Sequence, residues 1–303
     1  MEKKRGFYLP ETFKRNICDL HAEKGERWLS GLPELTAKIA EEWRLFVGEP
    51  FPNLSYHYVA PCVCDDGSEA VLKIGFAEKD SIVLSEAKFL NLLNGNGAVK
   101  LFRFDEIRCA LLLERLMPGK NLVELAKTDD EQATAHAIRV MKKIRCQPPE
   151  KIQFPTLENW VASFCRAEKT TFDFTRVKKA QRIFERLIGS SEQQLIHGDL
   201  HHQNILSAGR EAFMAIDPKG IVGDIGYDLS VFMINHANWL KPAPDLQGKL
   251  SGAIRQFSEA FEIEPQNIRK WIFAHSVLSA WWTFEENCEN WERELAFAEI
   301  WEV

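Results

Sequence analysis

The spacing of apolar and polar positions changes several times along the chain, and each change marks an element. Up to about residue 50 the apolar positions recur every four residues. Leu35, Ile39 and Trp43 share one helix face, which Leu32 and Phe46 extend. Between 54 and 64 the pattern turns strand-like, with Tyr56, Tyr58, Val59 and Val63, and Asp66-Gly67 is a hairpin turn into a return strand over 70–74. A helix carrying Val83, Ala87, Leu90 and Leu93 on one side starts near Asp80-Ser81, either of which can cap it, and stops at Asn94-Gly95-Asn96-Gly97. Residues 99–104 and 109–113 are two more short strands. Met117-Pro118-Gly119 breaks the pattern, and the chain is then mainly helical to about 190, with one long helix near 130–146. Short apolar strands return at 194–196, 205–206 and 213–216, the last two flanking a turn at Ala208-Gly209, and the chain is helical from Asp228 onward. The pattern predicts an α+β protein of two lobes. Residues 1–116 form a small N-terminal lobe around an antiparallel sheet, and residues 117–303 a larger, mostly helical C-terminal lobe.

Composition narrows this picture. With 45% apolar and 27% charged residues the chain is expected to be a soluble globular protein. The net charge of −6 and the absence of a long basic tract argue against nucleic acid as a partner, and weakly favour a cationic small molecule. The seven cysteines are scattered with no CxxC pair. Cys62 and Cys64 point the same way from one strand and read as ordinary side chains, so reduced thiols in a cytoplasmic protein are expected. The charged start Met1-Glu2-Lys3-Lys4-Arg5 is not followed by an apolar segment, and no apolar run is long enough to span a membrane, so neither signal peptide nor membrane partner is expected. A monomer or weak dimer is anticipated.

The chemistry is concentrated in His197-Gly198-Asp199-Leu200-His201-His202-Gln203-Asn204, with Asp217-Pro218-Lys219-Gly220 a short hairpin further on. Phosphoryl transfer needs a carboxylate to align the attacking hydroxyl, and an amide oxygen and a second carboxylate to hold Mg2+ on the phosphates. Asp199, Asn204 and Asp217 fit those roles in that order. A lone His-x-Asp would be a plain turn. Here each acid-bearing turn is flanked by apolar strand residues, Leu195-Ile196, Ile205-Leu206 and Ala215-Ile216, which can hold metal ligands rigid. Lys73, at the end of the return strand, can clamp phosphates of a nucleotide, and Glu86 on the next helix can fix it, with Glu78 a nearby competitor. Protein kinases carry Arg where Gly198 stands, which turns the reading toward small-molecule kinases. His197 is expected to bond backbone carbonyls around the loop, and His201 and His202 to be solvent-exposed. Lys219 can touch the γ-phosphate or the substrate, or pair with Asp224.

The stretches 197–206, Ala215-Ile216-Asp217-Pro218-Lys219-Gly220 and Gly223-Asp224-Ile225-Gly226-Tyr227-Asp228-Leu229 resemble the aminoglycoside phosphotransferases, in the branch of the streptomycin 6-phosphotransferases and hydroxyurea phosphotransferases. Tyr58-Val59-Ala60-Pro61, Val71-Leu72-Lys73 and the segment 112–119 extend the resemblance through most of the chain. It implies a bilobal protein-kinase-like fold whose N-terminal lobe binds nucleotide. It also implies ATP and Mg2+ as cofactors, and O-phosphorylation of a small hydroxylated molecule such as streptomycin, inactivating the antibiotic. Asp199 matches the family's catalytic Asp, Asn204 and Asp217 its metal ligands, Lys73 its phosphate lysine, and Glu114 to Leu116 the hinge whose backbone holds adenine. Asp228 matches a structural Asp tying the catalytic loop to the large lobe, with capping of a helix from Leu229 as the alternative. The hairpin has no G-x-G-x-x-G, since Ala60-Pro61-Cys62 stands in its place, and this leaves GTP open as the nucleotide. A metabolic or hydroxyurea-type kinase and a nucleotide-binding module without activity are the alternatives. An intact Lys73, Asp199, Asn204 and Asp217 speaks against the second.

The acceptor side is less defined. At helical spacing Trp282, Glu286 and Glu289 share one face, and Trp281, Glu285 and Cys288 another. An aromatic and acidic surface suits a cationic aminoglycoside through ion pairs and cation–π contacts. Core tryptophans beside solvated glutamates are the more economical account of the same residues.

Overall fold

A computed structural model describes residues 7–76, 82–190, 192–240, 245–286 and 291–301. The chain divides into two compact units, one of Met1–Gly95 with Val99–Leu116, the other of Asn96–Ala98 with Met117–Val303.

The first unit contains α1 (Glu11–Trp43), β1 (Leu45–Val47), β2 (Tyr58–Cys64), β3 (Glu69–Ile74), α2 (Ile82–Leu93), β4 (Leu101–Asp105) and β5 (Ala110–Glu114). Its antiparallel sheet has the order β1-β2-β3-β5-β4. The Asp66-Gly67 turn closes β2 on β3 in the register Tyr58↔Ile74 to Val63↔Glu69, with Gly67 at φ +82°. Strand alternation then sorts the side chains. Ala70, Leu72 and Ile74 enter a core with Phe13, Ile17, Leu32 and Ile39 of α1, which leaves Val71 and Lys73 on the opposite face. The helix predicted up to residue 50 stops at Trp43, where Arg44 is left-handed (φ 56°). Phe46 therefore belongs to β1, 73% exposed, and does not extend the helix face. The residues expected to cap α2, Asp80 and Ser81, lie outside the described residues, as does Glu78.

The second unit holds β6 (Pro118–Asn121), α3 (Val123–Thr128), α4 (Asp130–Ile144), α5 (Leu157–Val161), α6 (Phe174–Gly189), β7 (Gln194–Ile196), β8 (Ile205–Ala208), β9 (Phe213–Ala215), β10 (Ile221–Gly223), α7 (Ile225–Leu240), α8 (Leu246–Phe261), α9 (Pro265–Glu285) and α10 (Trp291–Ile300). Two small ladders frame its centre: β6-β8-β9 and β10-β7. Two of these strands differ from the sequence reading. Met117-Pro118-Gly119 does not simply open a helical region, because Pro118–Asn121 pairs with β8. Ile221–Gly223, too short to carry a period, pairs with β7 as Ile221↔Ile196. Helix α7 is largely buried, as a helix central to a helical unit must be, and Asp228, Ser230 and His236 are among its buried residues. Among the described residues no helix is long and apolar enough to cross a membrane, and none of the six described cysteines is in a disulfide.

Candidate active site

The residues singled out in the sequence lie on two loops of the second unit and on one strand–helix pair of the first. The chain leaves β7 at Ile196, runs through His197 to Asn204, and re-enters a ladder at β8. It leaves β9 at Ala215 and runs through Asp217 to Gly220 before β10. Because β7 pairs with β10 and β8 with β9, both loops cross between the same two ladders and are held at both ends.

His197 bolts the loops together. Its Nδ1 accepts the Asp199 N–H (3.1 Å), so Nε2 carries the proton and donates to the Ile216 carbonyl (2.9 Å). Its own carbonyl accepts the Lys219 and Gly220 N–H groups (2.8 and 3.1 Å). Burial holds the imidazole neutral, with a pKa down to about 3. The structural task expected for this histidine is therefore visible atom by atom. Asn204 ties in the far end of the loop: its Nδ2 donates to the Asp199 carbonyl (2.9 Å), and its own carbonyl accepts the Ile216 N–H (2.9 Å). That use of the amide nitrogen leaves Oδ1 as the end available to a cation.

Gly198 has φ +81°, and a Cβ there would lie 3.1 Å from Ile221 Cγ1 and 3.2 Å from Trp160 Cη2. The left-handed backbone and the packing together explain why neither Arg nor any other side chain stands at this position. Asp228 accepts the His197 and Gly198 N–H groups on its two oxygens (2.9 and 2.7 Å). Burial pushes its pKa up to about 7 against those two donors. It does not cap a helix from Leu229, because α7 already begins at Ile225 and Asp224 Oδ1 takes the Gly226 N–H (2.6 Å).

His202 corrects a second expectation. It is fully buried, stacked on Phe232 (4.0 Å) and bonded to His236 (2.9 Å). His201 is half-buried and accepts the Gln203 N–H on Nδ1 (3.2 Å), with Nε2 3.8 Å from Asp199 Oδ1. Asp228, Phe232 and His236 follow at four-residue spacing, so one face of α7 carries the anchors of His197, Gly198 and His202. That spacing was present in the sequence as a signal, although the apolar surround of α7 conceals it.

The two half-buried carboxylates share a cation. Lys219 Nζ lies 3.4 Å from Asp199 Oδ2 and 3.6 Å from Asp217 Oδ2. Asp217 has φ +56° and Gly220 φ +60°, so the turn between them is tight. In the first unit, Lys73 Nζ meets Glu86 Oε2 at 2.5 Å, both groups buried. Glu114 spends its N–H on the Lys100 carbonyl (2.8 Å) and its side chain on the Lys100 N–H (3.0 Å), while Leu116, at the unit's end, is buried.

The acceptor-side residues separate. Trp281 is core, 1% exposed. Trp282 is half-buried, donates to Ser163 Oγ (3.1 Å) and packs edge-on against Trp160 (5.8 Å), the same tryptophan that flanks Gly198. Glu285 is held bidentate by Arg166. Glu286 is exposed, its pKa raised by desolvation and by Glu285 and Glu294. Glu289 lies outside the described residues. Sequence reading missed Trp160, because α5 is a single turn fixed by the Thr156–Asn159 capping box and carries no periodicity.

Choline kinase LicA of Streptococcus pneumoniae has a similar structure (TM-score 0.60, 12% identity, 89% of this chain and 99% of that one). The sheet-bearing unit, the helical unit and this likeness define a protein-kinase-like α+β fold. A family model for aminoglycoside/hydroxyurea antibiotic resistance kinases matches residues 48–287, and the chain belongs to that family. It is 24% identical to a streptomycin 6-kinase of Streptomyces griseus over 92% of both chains. It is 26% identical to a hydroxyurea phosphotransferase of Kitasatospora aureofaciens over 91% of this chain and 80% of that one. The protein is a kinase that phosphorylates a hydroxyl of a small molecule.

Proposed function

We propose that the protein is an ATP-dependent O-phosphotransferase that modifies an aminoglycoside of the streptomycin type. The observation that carries this is the pair of loops braced by His197 and Asp228, which hold Asp199, Asn204 and Asp217 on one rigid frame. Asp199 aligns the acceptor hydroxyl and takes its proton late in a loose transition state, so it need not be a strong base. Asn204 Oδ1 and Asp217 hold the divalent cation. An amide oxygen and one carboxylate are hard donors that would suit Mg2+. Bound there, Mg2+ neutralises charge on the phosphates. Lys73, fixed by Glu86, clamps nucleotide phosphates, and the backbone from Glu114 to Leu116 receives adenine, with the Leu116 N–H as donor because that of Glu114 is already taken.

The acceptor rests on Trp282, which packs on Trp160, and on Glu286. Glu285 contributes through Arg166 and so does not offer a free charge. A second reading, a hydroxyurea-type kinase, has in its favour a relative of similar identity and this reduced acidic surface. A coupled assay of ADP release with streptomycin, other aminoglycosides, hydroxyurea and simple polyols separates the two. Turnover with streptomycin is expected. Turnover with hydroxyurea alone would replace the first reading by the second, and no turnover on any aminoglycoside would end the resistance role.

A further inference from the structure

We propose that Lys219 is a catalytic residue that contacts the transferring phosphoryl group. The proposal rests on the phosphotransfer reading of Asp199 and Asp217 given above. Three observations carry it. First, the backbone of Lys219 is built into the frame: its N–H and that of Gly220 both donate to the His197 carbonyl, at 2.8 and 3.1 Å. Pro218 before it and the left-handed Gly220 after it leave the turn little freedom. Second, the ammonium pairs with both carboxylates at once, 3.4 Å from Asp199 and 3.6 Å from Asp217, and so lies beside the acceptor-side acid and the metal-side acid together. Third, its side chain is only 19% exposed, although lysine normally extends into water.

The position follows from the chemistry. The acceptor oxygen approaches phosphorus from the side of Asp199, and the nucleotide phosphates lie on the side of Asp217. A phosphoryl group passing between them travels through the region that Lys219 Nζ can reach from either acid. In the transfer the acceptor oxygen forms a bond to the γ-phosphorus while the bond to the β–γ bridging oxygen breaks, and its electron pair leaves with ADP. The acceptor proton passes to Asp199, and Lys219 neither gains nor loses one. Its three N–H groups donate to non-bridging oxygens, where negative charge accumulates. Before nucleotide binds, the same ammonium offsets part of the repulsion between the two carboxylates.

The test needs no acceptor. Calorimetric titrations of the full chain with Mg2+–AMP-PNP and with Mg2+–ADP give the ratio of the two affinities. In Lys219→Met that ratio should fall about 10-fold, the worth of one charge-assisted hydrogen bond, with ADP affinity changed less than about twofold. Lys219→Arg should retain part of the preference. A second measurement uses the wild-type protein, so that folding of a variant is not at issue: Mg2+–AMP-PNP should protect Lys219 from acetylation by acetic anhydride more than Mg2+–ADP does, as read by peptide mass spectrometry. An unchanged affinity ratio, or equal labelling with both nucleotides, overturns the proposal and leaves the kinase reading standing. A wild-type protein that binds neither nucleotide overturns both.

Discussion

The Asp228 carboxylate accepts the Gly198 N–H at 2.7 Å, from a helix thirty residues further along the chain. This bond and its twin to His197 fix the start of the loop that carries Asp199, and both are buried. Asp228→Asn can satisfy only one of the two donors and presents an N–H to the other. Leaving a buried donor unsatisfied costs about 1–3 kcal/mol, so a lower urea midpoint and a larger loss of turnover are expected. Unfolding curves that overlay the wild type would disprove the anchoring role.

Gly198 invites a paired substitution. Gly198→Ala places a Cβ against Ile221 and Trp160 in a left-handed backbone, which by itself costs about 1–2 kcal/mol. Gly209→Ala, where a Cβ meets only the Met117 carbonyl at 3.7 Å, should be nearly silent. Equal thermal midpoints for the two variants would contradict the packing account.

Asp199→Ala should reduce turnover by roughly 10²–10⁴-fold while nucleotide affinity, followed by calorimetry, stays close to wild type. A matching loss of nucleotide affinity would move Asp199 from acceptor alignment to nucleotide binding.

Lys73 and Glu86 form a buried pair, so removing either one strands the other. Lys73→Met or Glu86→Leu alone should cost about 3–5 kcal/mol. The double variant should be more stable than either single one, yet still bind nucleotide poorly. If the two losses simply add, the pair is not coupled.

Four buried histidines make stability depend on pH. Burial lowers the pKa of His197 and His275 to about 3, that of His236 to about 4, and that of His202 well below its ordinary value. Each binds its proton more readily when unfolded, so its contribution is present above about pH 6.5 and is lost as pH falls toward 3. Asp228 acts in the opposite sense: with a folded pKa of about 7 its carboxylate weakens the fold as pH rises from about 4 to 7. Four groups against one leave the histidines dominant. The urea midpoint should fall between pH 7 and pH 5, and a midpoint that is flat or higher at pH 5 would refute this balance.

Much of the site could be read along the chain because its pieces are local. Asp199 and Asn204 share one loop, Asp217 and Lys219 one turn, and the apolar dipeptides beside them mark the strands that hold them. The β2–β3 hairpin was equally legible, since Asp66-Gly67 and period-two alternation are set by neighbouring residues. What depends on contacts between distant segments was not. The exposure expected for His202 does not hold because its burial is decided by Phe232 and His236, thirty and thirty-four positions away. Strand β10 is three residues long and exists only because β7 lies beside it. The charge on Glu285 looked available until Arg166 was brought against it, and Trp160 acquired its place by packing on a glycine from another loop. The sequence by itself determined which residues could do the chemistry and in what order. Tertiary structure alone decided which of their polar atoms are spent on the frame and which are left to act, because hydrogen bonds and burial are settled by neighbours in space.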